Sequence, residues 1–242
     1  MKISVIVPAF NEERGLAASL RSIRDAVLAF EDAGWTSELI VCDNNSTDAT
    51  AAIAREAGWK VVFEPVNQIS RARNTGAACA TGDWLLFIDA DSHPSRALCA
   101  DVRRAIETGR CVAGGSTVCF DRHADRVVHV MGSAWNCISR VMRWVAGSFV
   151  FCETAAFRAV GGFSQALYAA EEIDLSRRLK RLARQRRQRL VILHRHPLLT
   201  SGRKAKLYTP REMTRFMART IVRRGRTLRS QEECFAWYDG RR

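Results

Sequence analysis

Apolar residues open the chain in a short β-branched run, residues 3–7, which Pro8 and the polar Asn11, Glu12 and Glu13 interrupt. A run of this kind reads as a strand buried on both faces of a parallel sheet. Leu16, Leu20, Ile23 and Val27 then recur at helical spacing, with Asn11 expected to cap that helix. The alternation continues with a strand at residues 39–42 and a helix capped by Asp48 that runs to about Ala57, where Gly58 stops it. A strand at residues 60–63, a helix at 70–80 closed by Thr81-Gly82, and a strand at 84–88 complete the first half. The order βαβαβαβ implies a parallel sheet with right-handed crossovers. Ligands bind such sheets at the carboxyl ends of the strands. Polar clusters stand at three of those ends: Asn11 and Glu12, Asp43 and Asn44, Asp89 and Asp91.

The second half is less regular. Val127, Met131, Trp135, Ile138, Met142 and Val145 form a broad apolar face and predict a helix over residues 127–145. Residues 149–151 read as a strand and Gly161-Gly162-Phe163 as a turn. Residues 171–185 read as a helix with Leu175, Leu179 and Leu182 facing the core. A strand at 190–193 and a basic helix over 214–229 follow, with no internal repeat and no low-complexity linker.

Composition narrows the class. Of 242 residues 47% are hydrophobic, a globular rather than a disordered balance. No stretch nears the roughly 20 apolar residues of a membrane-spanning helix. The N-terminus reads as a first strand rather than a signal peptide. Eight cysteines include no C-x-x-C pair, so reduced, mostly buried thiols and a cytoplasmic location are expected. The formal charge of +13 is uneven: the first hundred residues are near balance, while arginine crowds residues 177–229. Nucleic acid, an anionic membrane surface or a polyanionic small molecule could each match it. No nucleic-acid module or aromatic platform accompanies the arginines, which argues against the first. A nucleotidyltransferase would carry a basic, glycine-rich triphosphate loop, which VIVPAFNEERGL lacks.

Asp89 and Asp91 lie at i and i+2 just past a buried strand, so both carboxylates point to one side. A hard divalent cation takes a few oxygen ligands and leaves room for substrate phosphates. A polar strand end that caps the next turn would give the same short pattern. Context separates the two. VIVPAFNEE, CDNNSTDAT, ARNTGAACATGDWLLFIDADS, GGF and EEIDLSRRL occur in that order. Over roughly residues 2–205 this series resembles the family-two inverting glycosyltransferases with the GT-A fold.

The resemblance implies a single α/β domain over residues 1–205, with a mostly parallel nucleotide-sugar-binding half at 1–92 and an acceptor-side half at 93–205. A basic helical tail occupies 206–242. It implies a nucleotide-sugar donor, a UDP-sugar being the expectation, and a divalent cation, Mn²⁺ or Mg²⁺. The acceptor would be a sugar or lipid-linked hydroxyl, as on a cell-envelope glycan. It assigns Pro8, Phe10 and Glu12 to the first nucleotide loop, with Phe10 packing on the base. Asp43 and Asn44 match the doublet that recognises base and ribose, and Arg73 a residue near the nucleotide. Asp89 approaches the ribose, Asp91 binds the metal, and Glu172 is the catalytic base.

Two departures leave alternatives open. Asn44 stands where Asp or Gly is commoner; an amide both donates and accepts, so uracil fits, and guanine or thymine fit too. Glu171-Glu172 replaces a doublet that usually ends in Asp, so Glu171 or Asp174 could serve as the base instead. His194 or His196 could join the metal or simply pack at a strand end. Arg203 could close over the diphosphate or remain a solvated loop residue. Trp135 and Trp144 could line an acceptor site or belong to the core. The cations from Arg177 to Arg189 suit a solvated helix face or a peripheral attachment to anionic lipid.

Overall fold

The computed structural model describes residues 1–120, 126–201, 210–223 and 225–238. The first half contains β1 (Lys2–Ala9), α1 (Leu16–Glu31), β2 (Thr36–Asp43), α2 (Thr50–Glu56), β3 (Lys60–Phe63), α3 (Ile69–Ala78) and β4 (Trp84–Ile88). Strands β3, β2, β1 and β4 lie side by side and all run parallel. Side chains alternate across the sheet with period two. Val5 and Val7 therefore join the α1 side of the core, while Ile6 joins the other side with Phe87, Leu175 and Leu179. Both faces are covered, which is why these strands read as unbroken apolar runs.

Beyond β4 come β5 (Ser92–His93), α4 (Arg96–Glu107), β6 (Cys111–Phe120), α5 (Arg126–Met142), β7 (Phe149–Glu153), α6 (Thr154–Ala159), α7 (Glu171–Gln185) and β8 (Arg189–Thr200). Their strands extend the same sheet, giving the order β3-β2-β1-β4-β7-β6-β8-β5. The expected parallel arrangement of the nucleotide-binding half holds across β3, β2, β1 and β4, and the second-half strands make the whole sheet mixed. Strand β7 runs antiparallel to both β4 and β6, β5 runs antiparallel to β8, and only β6 and β8 are parallel. The whole is a mixed sheet flanked by helices.

Four elements of this half, β5, α4, β6 and α6, went unpredicted. Helix α4 has a plain start: the Ser95 hydroxyl accepts from the Leu98 N–H at 3.1 Å, and Leu98, Val102 and Ile106 are buried at helical spacing. Strand β6 is masked in sequence by Gly114-Gly115, which reads as a turn. A Cβ on Gly114 would lie 2.4 Å from the Phe151 ring and 2.5 Å from the Val191 carbonyl oxygen, so this glycine lets β6 fit between its neighbours.

Asn11 does not cap α1, whose first flanking residue is Gly15 with no side-chain cap. It adopts φ +52 instead, a left-handed turn that asparagine tolerates. The basic helix expected over 214–229 is also interrupted. Helix α8 (Pro210–Val222) ends, Gly225 turns at φ +79, and a 3₁₀ turn (Arg226–Arg229) and α9 (Phe235–Tyr238) follow. Ala169, Phe216 and Cys234 form a small separate core there, packed by Tyr168, Leu228, Phe235 and Tyr238.

The largest reversal concerns α5. It faces the protein with Val128, Gly132 and Ser139, and exposes Val127, Val130, Met131, Ile138, Val141 and Met142. Among the described residues no helix is long and apolar enough to cross a membrane.

Candidate nucleotide-sugar site

The polar loops behind β1 and β2 are tied together by side chains. The Asn11 N–H donates to the Ser46 hydroxyl at 3.0 Å, and the Thr47 N–H donates to Asn11 Oδ1 at 2.8 Å. The Glu12 N–H donates to the Thr50 hydroxyl at 2.8 Å, and the Glu13 N–H to Asp48 Oδ2 at 3.1 Å. Asp48 Oδ1 in turn accepts from the Thr50 N–H, so it starts α2 from one residue outside the expected position. Asn45 takes φ +67, matching the left-handed turn at Asn11. The two loops thus form one braced rim at the carboxyl ends of β1 and β2.

That rim walls an open cleft lined by Pro8, Phe10, Glu12, Asn44, Asp89 and Asp91 among others. Six residues singled out from sequence on three separate loops therefore meet at one opening. Asp43 is buried beside it at the end of β2, where its carboxylate accepts from the Ser46 N–H at 3.0 Å. Asn67, Ile69 and Tyr238 also line the cleft and were not anticipated. Tyr238 comes from the far end of the chain. Its ring meets Tyr168 edge-on at 5.4 Å, and its hydroxyl accepts from the Ile69 N–H at 3.4 Å. Nothing in its sequence surroundings marks it, because only the folded tail brings it back.

Asn44 lines the cleft, but its amide works within the loop. Its two N–H bonds go to the Glu64 and Val66 carbonyls at 3.3 and 2.6 Å, and its Oδ1 accepts from the Gln68 N–H at 2.9 Å. In this arrangement both amide N–H groups are engaged inside the loop, while the residue itself lines the cleft as expected.

Arg73 stands next to the cleft as a buried fork. It is 1% exposed and bonded to Asp89, which lines the cleft. Its Nη1 donates to Glu171 Oε1 at 2.6 Å, and its Nη2 donates to Asp89 Oδ1 at 2.9 Å and to the Gly147 carbonyl at 2.8 Å. The Phe163 ring stacks near the guanidinium at 5.1 Å. Burial alone would make this cation easier to deprotonate; Asp89, Glu171 and Glu172 more than offset that and hold its pKa above the usual value. One planar fork thereby joins the end of β4 to the acidic start of α7.

The acidic cluster at the start of α7 is sorted by this contact. Glu171 is buried on Arg73, and Asp174 pairs along the helix with Arg178 at 2.7 Å. Among the described residues Glu172 has no salt-bridge partner within 4.0 Å. A Cβ added to Gly147 would lie 3.5 Å from its carboxyl carbon, so Glu172 sits against the same glycine whose carbonyl Arg73 holds. Burial first, and then the neighbouring Glu171, push the Glu172 carboxyl up to about 8, against the lowering effect of Arg73. Ala170, just before the doublet, takes φ +61, a left-handed conformation that costs alanine of order 1 kcal/mol.

At the β4 end, the Asp89 N–H donates to the Ser148 carbonyl at 3.2 Å and the Asp91 carbonyl accepts from the Ser201 N–H at 3.2 Å. The donor set is two carboxylates, both hard oxygen ligands. Among the described residues no group of three or more His, Cys, Asp or Glu side chains gathers to cage a metal. A cation of the magnesium type suits that arrangement, since it binds through one or two carboxylates and completes its shell with water and phosphate. The histidines stand elsewhere: His196 Nδ1 lies 2.8 Å from Asp101 Oδ2, and His194 lines a groove with Thr117, Asn136 and Arg140. Trp144 lies under the Arg177 guanidinium at 5.4 Å, and Trp135 packs half-buried against the core. Arg203 lies outside the described residues.

Known proteins resemble this chain in sequence and in shape. An uncharacterized glycosyltransferase of Rickettsia typhi is 34% identical over 97 residues, 40% of this chain and 30% of its own length. Another, of Mycobacterium bovis, is 39% identical over 89 residues, 37% of this chain and 36% of its own. A TPR repeat-containing protein of Synechococcus elongatus is 40% identical over 91 residues, 37% of this chain and 20% of its own. The chain thus spans about a third or less of these curated relatives. Among solved structures, S. aureus TarS superposes with a TM-score of 0.64 at 20% identity, covering 86% of this chain and 62% of that one. The Pyrobaculum calidifontis mannosyltransferase solved with GDP-Man and Mn²⁺ gives 0.64 at 18% identity, covering 81% of this chain and 56% of that one. The glucosyl-3-phosphoglycerate synthase of Mycobacterium tuberculosis, solved with Mn²⁺, UDP-Glc and phosphoglyceric acid, gives 0.61 at 20%, covering 91% and 77%. The fold is that of the GT-A glycosyltransferases. The sequence profile of Glycosyl transferase family 2 matches residues 4–160, from β1 through α6 and across the whole Asp89-Ala90-Asp91 turn, and the chain belongs to that family.

Proposed function

We propose that this chain transfers a sugar from a nucleotide-sugar, of the UDP-linked class, to an acceptor hydroxyl, with inversion at the anomeric carbon. The observation that carries this reading is the division of labour at Arg73: it holds Asp89 and Glu171, and leaves Glu172 with a raised pKa beside the same glycine. Phe10 packs on the base, with Pro8 and Glu12 shaping the loop beneath it. Asp43 and Asp89 face the ribose. Asn44 and Arg73 support the site from behind.

Asp91, with Asp89 near, would hold a divalent cation, Mn²⁺ or Mg²⁺, whose charge offsets that of the departing diphosphate. Glu172 in its carboxylate form takes the proton from the acceptor hydroxyl. That oxygen bonds to the anomeric carbon from one face as the bond to the diphosphate breaks on the other. A carboxyl whose pKa burial and Glu171 raise above the ordinary value is a stronger base once ionised. Arg203, on the chain that follows Ser201, suits the diphosphate by its planar fork. The acceptor class that fits the cationic surface is a lipid-linked or cell-envelope glycan. The three solved neighbours include proteins bound to GDP-Man or UDP-Glc with Mn²⁺, which supports the donor and cation classes.

Calorimetric titration of UDP, GDP and their sugar conjugates, with and without Mn²⁺, tests the reading. The expected result is metal-linked binding that Asp91→Asn abolishes while the variant stays folded. Metal-linked affinity unchanged in the variant would remove Asp91 from the site.

A further inference from the structure

Helix α5 is amphipathic in the wrong sense for a core helix. At about 100° per residue, Val127, Val130, Met131, Ile138, Val141 and Met142 fall on one face, and that face is outward. Val130 and Val141 are 68% and 75% exposed. The inward face joins Val128 and the half-buried Trp135 to small and polar residues. Gly132 sits against the Phe120 ring, Asn136 exchanges hydrogen bonds with both backbone groups of Val118 at 2.9 and 2.8 Å, and the Ser139 hydroxyl donates to the Trp144 carbonyl at 2.6 Å. The helix is therefore anchored by specific polar contacts and held with its apolar stripe out. Contiguous exposed apolar surface of this kind marks an interaction site.

Charge identifies the partner. Helix α5 carries no carboxylate, and Arg126, Arg140 and Arg143 are exposed along it. At its C-terminal end it meets the cationic stripe of α7: Lys180 Nζ donates to the Met142 carbonyl, and Arg177 lies over Trp144. Arg143, Arg177 and Arg184 crowd Lys180 closely enough that, after burial, their repulsion lowers its pKa. A second copy meeting α5 through the same face would bring it the same cations and no counter-charge. An apolar stripe bordered by cations is the pattern of a helix lying in the headgroup region of an anionic bilayer.

We propose that the outward face of α5, with the adjoining cations of α7 and Arg143, docks this protein on an anionic lipid bilayer. The stripe enters the headgroup boundary, and Arg177, Arg181 and Arg184 engage lipid phosphates beside it. Residues 144–147 lead directly from this surface to the Gly147 carbonyl on Arg73, and the Val145 N–H donates to the Ser176 hydroxyl at 3.1 Å. Docking would thus bring the Glu172 side of the molecule toward the membrane. The surface stands independently of the donor chemistry, so it can fail while the glycosyltransferase reading survives.

Flotation with phosphatidylcholine vesicles, with and without phosphatidylglycerol, tests the proposal on the full chain. Wild-type protein is expected to float with the anionic vesicles and not with phosphatidylcholine alone. The double substitution Val130→Asp, Val141→Asp is expected to reduce partition at least tenfold, with thermal melting and nucleotide binding unchanged. Arg181→Ala with Arg184→Ala is expected to reduce it about 30-fold, the equivalent of about 1 kcal/mol per cation near an anionic surface. Wild-type protein that ignores anionic vesicles at low salt overturns the proposal, as does a valine double variant that floats like wild type. Light scattering supplies the remaining arm: a wild-type dimer that the valine substitutions dissociate assigns the face to self-association and overturns lipid docking.

Discussion

Helix α1 turns Leu16, Leu20, Ile23 and Val27 into the sheet, whereas α5 turns in Val128, Gly132 and Ser139 and leaves its valines and methionines outside. Both helices show the same spacing in sequence. The difference is what lies opposite. Helix α1 covers a face of the parallel strands, where Val5, Val7 and Leu86 offer apolar surface. Helix α5 lies over β6, which offers it a phenyl ring at Phe120 and the polar backbone of Val118. Periodicity reveals that a helix has two faces; it does not say which of them the rest of the chain will meet.

Predictions that sharpen this contrast fall in order of size. Arg73→Met should be the most damaging change in the nucleotide-binding half. It strands Asp89 and the buried Glu171 without their partner, and breaking a buried pair from one side costs about 3–5 kcal/mol. Denaturant unfolding measures this; a loss below about 1 kcal/mol would mean the fork is dispensable. Leu20→Ala in α1 should cost about 2–5 kcal/mol, as for a fully buried leucine. Its counterpart, Met131→Ala in α5, should stay within about 0.5 kcal/mol because the side chain is exposed. Equal costs at these two positions would erase the contrast.

Between those extremes lies Asn44→Ala. It leaves the Glu64 and Val66 carbonyls and the Gln68 N–H without a partner, which costs about 1–3 kcal/mol. Because both amide donors are engaged inside the loop, nucleotide affinity should fall equally for uridine and guanosine diphosphates. Loss confined to one base would restore the base-reading role.

The nucleotide half was largely legible from sequence. Strands β3 and β4 have the predicted bounds, as does helix α7 in the other half, and the loops after β1, β2 and β4 meet at one cleft. Buried parallel strands announce themselves by composition, and chain order places their ends together. What escaped depends on long-range fit. Gly114-Gly115 hid β6 because the reason for glycine is the Phe151 ring and the Val191 carbonyl, far off in sequence. Arg73 and Asn44 are polar residues near a polar cleft, and only their partners reveal that they face inward. Tyr238 reaches the cleft from a tail whose own pattern shows only charge and scattered aromatics.

The account turns on Glu172, since Glu171 and Asp174 share its helix start and already hold cations. The most direct measurement compares turnover and donor affinity for Glu172→Gln, Glu171→Gln and Asp174→Asn, using donor hydrolysis where no acceptor is in hand. Loss of a general base lowers turnover by about 10²–10⁴-fold. Glu172→Gln should show that fall with donor affinity nearly unchanged, because the proton moves only in the transition state. Glu171→Gln should lose mainly stability through its contact with Arg73, and Asp174→Asn little of either. A folded Glu172→Gln protein that keeps its turnover, beside an inactive Glu171→Gln, would contradict the assignment.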